Sequence, residues 1–310
     1  MARWTNRTIP EDLERELEIY LECFVIVFAD DTVLLAETAQ DLQTQLNAFH
    51  DYSLSLCYDV VDLTHTLSNA SIRYPGNTPF ELQIDFRGPF GSDNWFEINS
   101  FRTTEHIGTH VDAPAHFADG SWRAHQIPVD HLVGNGVIIN VKNKVQNNPD
   151  YRVTLSDVYE WERKNGRIPD GSVVLMNSGW DIRYPDFRQV FNTQTPNDGS
   201  TFHFPSWHQA TVSWLIRNRR VNVIGVDTPS NDYGPSTDFP VHVLMAKNNI
   251  VGVENVANLD ALPPNGALLF VNLLKILDGS GSPARIMGFR TKRRLKFKTN
   301  CSKHYYRSQY

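Results

Sequence analysis

Cysteine is scarce in this chain and missing from its middle. Of 310 residues only Cys23, Cys57 and Cys301 are cysteine, so none lies between residues 58 and 300. That excludes a disulfide framework for the core and a thiolate-rich zinc site. Any metal bound there must be held by nitrogen and oxygen. Long apolar runs are also missing, since none approaches the roughly 18 residues a membrane helix needs. The N-terminus, Met1-Ala-Arg-Trp-Thr-Asn-Arg7, leads into an acidic stretch and not an apolar core, so no signal peptide is visible. Cytoplasmic is the default expectation, or secreted if the natural N-terminus has been replaced. Acidic residues are absent from Arg290 to Tyr310, which holds eight Lys or Arg. With an overall net charge of −6, the rest of the chain therefore carries −14. An acidic body with a short basic tail does not suit a nucleic-acid-binding domain. The tail, residues 290–310, reads as a disordered, solvated end.

What the chain does have is concentrated in His106-Ile-Gly-Thr-His110-Val-Asp112-Ala-Pro-Ala-His116-Phe117. Four ligand or acid–base groups fall within eleven residues, all at even positions. Two His at i and i+4 would also suit a helical zinc motif. Here Gly108, the β-branched Ile107, Thr109 and Val111, and Pro114 oppose a helix, and no Glu stands between the His residues. The run reads as a strand passing into a turn at Asp112-Ala-Pro. An extended backbone with a side-chain period of two puts His106, His110 and Asp112 on one face, with His116 just beyond. Gly108 reads as a place where a missing Cβ lets an ion or substrate approach the backbone. Three metal ligands and a proton carrier are what metal-assisted hydrolysis needs.

Around this motif, residues 59–289 read as one α/β domain with a mixed β-sheet and flanking helices. Strands are expected at 59–65, 80–86, 95–104, 136–141, 171–176, 221–227, 250–253 and 266–274. Helices are expected at 154–164, with Thr154 as N-cap and Asp157 three residues on, and at 206–218. Another helix starts at Asp238-Phe-Pro240, where proline is favoured in the first turn.

Residues 1–58 have a different character. Cys23-Phe-Val-Ile-Val-Phe-Ala-Asp30-Asp31-Thr-Val-Leu-Leu-Ala-Glu37 is apolar strand, acidic turn, apolar strand, followed by a helix with Leu42, Leu46 and Phe49 on one face. Over residues 20–52 this resembles the palm hairpin of retrotransposon reverse transcriptases, whose Ala-Asp-Asp turn binds catalytic magnesium. Two-metal phosphoryl transfer needs a further carboxylate and surfaces for template and primer, for which fewer than thirty upstream residues leave no room. The segment is expected to be a non-functional fragment joined to an unrelated enzyme. A reading of another class, a nucleic-acid-associated retroelement fusion without catalysis, rests on Asp30-Asp31 and the basic tail alone.

Residues 59–288 resemble the cyclase superfamily, which contains bacterial-type kynurenine formamidases and isatin hydrolases. Its hallmark, His-x-Gly-Thr-His-x-Asp-x-Pro-x-His, is matched at every fixed position by residues 106–116. Asp62-Leu-Thr-His-Thr-Leu67, Tyr74-Pro-Gly-Asn-Thr-Pro79, Gly225-Val-Asp-Thr-Pro-Ser230 and Gly279-Ser-Gly-Ser-Pro-Ala-Arg285 also match. The resemblance implies a swivelling β/α/β domain. It implies His106, His110 and Asp112 as metal ligands and His116 as general acid/base. Binuclear members add a His and a Glu twelve residues apart, matched by His242 and Glu254. One or two divalent ions, zinc or manganese, are thus implied. Formamidases carry an aromatic residue, often Trp, where Tyr74 stands, to pack on the substrate ring. The implied activity is hydrolysis of a small aromatic amide, N-formylkynurenine to kynurenine and formate, with a cyclic amide of the isatin kind as the alternative. A homodimer or homotetramer is implied, with neither nucleic acid nor membrane as partner.

Overall fold

The computed structural model describes residues 24–27, 33–36 and 58–291. Strands β1 (Phe24–Val27) and β2 (Val33–Ala36) pair antiparallel, Phe24 opposite Ala36. The acidic turn between them, the helix carrying Leu42, Leu46 and Phe49, and the basic tail lie outside the described residues. Asp59–Thr291 form a compact unit of their own.

That unit begins with β3 (Tyr58–Asp62) and a hairpin of β4 (Glu81–Phe90) and β5 (Asn94–Arg102). Then come β6 (His110–Asp112), β7 (Val133–Asn140), α1 (Lys142–Val145), β8 (Arg152–Val153) and α2 (Leu155–Asn165). Next are β9 (Val173–Asn177), α3 (Phe187–Val190), β10 (Ser206–Trp207), α4 (Gln209–Arg219) and β11 (Val223–Val226). The unit ends with α5 (Pro240–Lys247), β12 (Val251–Glu254), β13 (Ala267–Leu273) and β14 (Gly281–Thr291).

The mixed sheet with helices expected from the sequence is there, and it closes on itself. Strands β7, β9, β11 and β12 run parallel, β6, β14 and β13 follow antiparallel, and β13 pairs back to β7. The closing strand, β14, is the element the sequence concealed. Gly281, Pro283, Arg285 and Gly288 break its apolar pattern, yet it bonds to β13 on one side and to β6 and β3 on the other.

The parallel strands read as unbroken apolar runs because both of their faces are buried. Val173, Leu175, Val223, Val251 and Val253 fill the barrel interior with Leu269 and Ile286. Their neighbours Val174, Met176, Ile224 and Val226 point outward, to a second core with Trp161, Trp207, Val212 and Leu215. Each such side chain contributes roughly 1.5–3 kcal/mol by leaving water. The buried indoles are tied to the barrel, Trp161 Nε1 donating to Ile138 O at 3.0 Å and Trp207 Nε1 to Gly225 O at 3.1 Å. Helix α2 starts as the sequence predicts: Asp157 accepts the Thr154 N–H at 2.7 Å and closes a capping box. No helix among the described residues is long and apolar enough to cross a membrane.

Candidate metal centre

On β6, Val111 points into the barrel, so its neighbours His110 and Asp112 both point out. The strand is shorter than the sequence suggested. His106 lies on a bent segment, not on the strand, because Gly108 takes φ +56°. That glycine does not make room for an ion. A Cβ there would press within 3.1 Å of the Tyr184 hydroxyl, and the Gly108 carbonyl accepts from His110 Nδ1–H at 2.9 Å. After the strand, Pro114–His116 form a single 3₁₀ turn that carries His116 back over the site.

Strand register supplies the next group. Glu254 of β12 is paired with His110, so their side chains are neighbours on the outer face. Asp112 is flanked by Gly252 on β12 and Gly281 on β14. A Cβ at Gly252 would sit 3.1 Å from the Asp112 Cβ, and one at Gly281 would run into the His106 ring. The carboxylate and the imidazole occupy space that two glycines leave open. His242 arrives from the first turn of α5. Asp232 accepts the backbone N–H of Val241 at 2.9 Å and of His242 at 3.0 Å, capping the helix, and the His242 Nδ1–H at 2.7 Å.

These side chains converge into two groups that could each hold a divalent ion: His106, His110 and Asp112, and Asp112, His242 and Glu254. Asp112 belongs to both. With Nδ1 of His110 and of His242 spent on outer acceptors, each Nε2 carries a lone pair, and each faces carboxylates. His110 Nε2 lies 3.3 Å from Asp112 Oδ1 and 3.4 Å from Glu254 Oε2. His242 Nε2 lies 2.9 Å from Glu254 Oε1 and 3.3 Å from Asp112 Oδ2. His106 is held the other way round. Ser280 Oγ–H donates to Glu105 at 2.6 Å, leaving its lone pair for His106 Nε2–H at 3.0 Å. His106 Nδ1 then faces Asp112 Oδ1 at 2.7 Å. Lone pairs set against anions are stable only with a proton or a cation between them. Asp112 Oδ2, buried, accepts no hydrogen bond. Three imidazoles and two carboxylates without thiolate suit zinc or manganese, so the residues fit a divalent ion.

The electrostatics agree. Burial opposes a proton on His110, but Asp112 and Glu254 outweigh it and raise the imidazole to about 9. His242 is raised well above its usual value against the same burial, by Asp112, Asp232 and Glu254. Burial would push Asp112 up, yet His106, His110 and His242 hold it well below the usual carboxylate range. His116 differs. Burial, only partly opposed by Asp112, lowers it to about 4, so it is neutral at pH 7. Its ring stacks on His106 at 3.8 Å and meets Phe117 edge-on at 4.5 Å.

All six polar residues singled out in the sequence, with Tyr74, line one cavity of about 270 Å³. Tyr74 packs edge-on to Phe191 at 5.7 Å, and burial holds its hydroxyl protonated well above the usual range. Phe117 and Phe239, their rings 5.5 Å apart, line the same cavity. Sequence reading missed Asp232, Ser280 and Glu105. Asp232 ends the polar turn Asp227-Thr-Pro-Ser-Asn-Asp232 after a buried strand, which was the available signal. Ser280 stood inside the family-matched run Gly279–Arg285 with no role attached to it, and Glu105 carried no signal, because nothing local shows that the two meet.

The model of the cyclase family matches residues 61–233. An isatin hydrolase of Roseibium aggregatum is 31% identical over 213 residues, covering 66% of this chain and 77% of that protein. A kynurenine formamidase of Bacillus cereus is 24% identical over 225 residues, covering 73% of this chain and 94% of that protein. Among solved structures, isatin hydrolase A from Ralstonia solanacearum superposes with a TM-score of 0.70 at 33% identity, covering 79% of this chain and 97% of that one.

Proposed function

The chain belongs to the cyclase family and is a metal-dependent hydrolase, and from that premise we propose that it opens the amide C–N bond of a compact aryl amide. The observation that carries this reading is the pair of ligand groups sharing Asp112 in a cavity that Tyr74, Phe117 and Phe239 also line. In it, His106, His110 and Asp112 would hold one divalent ion, zinc or manganese, and Asp112, His242 and Glu254 would hold a second. A bound ion lowers the pKa of a coordinated water from 15.7 to about 7 and polarises a carbonyl oxygen.

The chain's own residues do the rest. His116 takes the proton of the attacking water as a neutral base and delivers it to the departing nitrogen. Stacking on His106 and contact with Phe117 hold its ring in one plane for both transfers. Tyr74 offers an aromatic face and a protonated hydroxyl to the substrate. The water oxygen bonds to the carbonyl carbon, the C–N bond breaks, and nitrogen leaves with the proton. A cyclic amide gives a ring-opened amino acid, and an N-formyl arylamine gives formate and the free amine.

An isatin-like cyclic amide is the first reading, because the isatin hydrolases are 28–33% identical to this chain, against 24–26% for the kynurenine formamidases. The cavity, about 270 Å³, also falls below the roughly 300–1,000 Å³ usual for drug-sized ligands, which favours a flat bicyclic substrate over one with an amino-acid tail. N-formylkynurenine, the first expectation from the sequence, is the second reading. The full chain, loaded with zinc or manganese, is expected to bleach the visible absorbance of isatin faster than it releases formate from N-formylkynurenine. Faster formate release would reverse the order, and inertness toward both would sink the substrate class.

Two further results are expected here. Glu105→Gln weakens the anchor of Ser280, frees the His106 ring and lowers metal affinity by about 10–100-fold, as outer partners of ligands typically do. Competition with a chelating dye measures it, and unchanged affinity would dismiss the Glu105–Ser280 support. The second concerns pH. In chelator-treated protein, His110 and His242 have raised folded-state values. Their stabilising effect is complete below the unfolded value of about 6.5 and is lost as pH rises, for His110 through about 9. Metal-loaded protein should behave oppositely, since ligands must be deprotonated to bind. Between these limits the Tm of the metal-free form should fall with pH while that of the loaded form holds or rises. Parallel curves in differential scanning fluorimetry would count against the ligand set.

A further inference from the structure

The cavity includes a cationic side chain that the proposed reaction does not use. Arg73 is the only Lys or Arg among the described residues that line it. It stands one position before Tyr74, on a segment pinned beside the hallmark motif, where Gly108 N–H donates to Ile72 O at 2.8 Å. The chain then reverses at Tyr74-Pro-Gly-Asn77. Asn77 N–H donates to Tyr74 O at 3.2 Å, and Gly76 takes φ +86°, a conformation that glycine adopts at little cost. The reversal brings both ends of the loop to the Arg73 guanidinium. Its Nε–H donates to Asn77 O at 3.2 Å and Nη1–H to Ser71 O at 3.3 Å. Its central carbon lies 5.4 Å from the centre of the Phe187 ring.

Two carbonyls and an aromatic ring orient this group without neutralising it. The N–H groups on Nη2 remain free, since the two bonds are made from Nε and Nη1. Among the described residues no Asp or Glu pairs with Arg73, whereas Arg87, Arg219 and Arg285 each hold a carboxylate at 2.6–2.7 Å. The Asn77 amide and the Thr104 hydroxyl line the same cavity, and among the described residues neither has a hydrogen-bond partner. The carboxylates of the cavity, Asp112 and Glu254, belong to the ligand groups. An oriented, unpaired guanidinium in a space of about 270 Å³ is complementary to an anion brought in by the ligand.

We propose that Arg73 selects substrates that carry an anionic group, a carboxylate or a sulfonate, on the aryl ring. The inference rests on the aryl-amide reading above and narrows it. The reacting amide lies at the ligand groups, the ring against Tyr74, and the negative charge on Arg73, with Asn77 and Thr104 as further donors. All of these side chains line one small cavity, so the charge belongs on the ring itself and not at the end of a long tail.

Three probes test this: isatin, isatin-5-sulfonate and isatin-7-carboxylate, a neutral parent and two anions charged at different edges of the ring. The full chain is loaded with zinc or manganese, and kcat/KM is measured for each probe with the wild type, Arg73→Gln and Arg73→Lys. A ring substituent also changes the reactivity of the amide. The effect is therefore read as the change, on substitution, in the ratio of kcat/KM for anionic over neutral probe, from which that contribution cancels. In Arg73→Gln the ratio for at least one anion should fall by ~10-fold or more, as expected for the loss of a hydrogen bond to a charged group, and chiefly through KM. Arg73→Lys, which keeps the charge, should recover part of it. An Arg73 that only braces the 71–77 loop would cost all three probes equally, and that result would overturn the proposal. So would a ratio that Arg73→Gln leaves unchanged. If no probe is hydrolysed, the aryl-amide reading fails, and isothermal titration decides the role of Arg73 separately. Anion binding that weakens more than isatin binding in Arg73→Gln supports the anion site, and equal weakening or none dismisses it.

Discussion

Replacing His116 by alanine is expected to lower turnover by about 10²–10⁴-fold while the protein keeps its metal. His116 lies within the cavity but in neither ligand group, so its removal takes away a proton carrier and leaves the donors whole. Its stack on His106 at 3.8 Å also leaves a flat space when truncated. His116→Gln, which fills that space without a titratable nitrogen, separates the two effects. Both variants should lose kcat to a similar extent with KM little changed. The measurement is steady-state kinetics beside metal analysis of the same samples. Near-normal turnover in either variant would remove His116 from its proposed role, and metal loss would make it a ligand instead.

Asp112→Asn should do more damage. One carboxylate serves both ligand groups and lies against three imidazoles. The amide preserves shape but removes the shared anion and puts an N–H₂ where a ligand oxygen stood. Bound metal should fall to background at both positions, and hydrolysis should drop by more than the ~100-fold typical of outer-partner changes. Glu254→Gln, confined to one group, should spare the ion on His106 and His110. Metal stoichiometry by elemental analysis distinguishes these outcomes. Full occupancy in Asp112→Asn would contradict the shared-ligand arrangement.

The motif of residues 106–116 was legible because its chemistry is dense and local. Its geometry was not. The sequence suggested one extended face, whereas Gly108 bends the chain and His106 returns to the site along another path. His242 and Glu254 could be named from the family resemblance alone, as neither is unusual in its own segment. Asp232, Ser280 and Glu105 were given no role from the sequence, because each acts on a residue that folding brings to it, 174 positions away for Ser280 and His106. Strand β14 escaped notice for a related reason. Its Gly and Pro contradict strand propensity, and the three strands it pairs with override that local preference.

By itself, then, the sequence determined the type of chemistry. Thiolate was excluded, imidazole and carboxylate were supplied in quantity, and the apolar runs required strands buried on both faces. These follow from composition and from periods of two and 3.6 residues, which are properties of neighbours along the chain. Closure of the barrel, the meeting of Glu254 with His110 and the glycines on both sides of Asp112 were decided by the tertiary structure. Each depends on strand register, and register is set by which distant faces can be buried together.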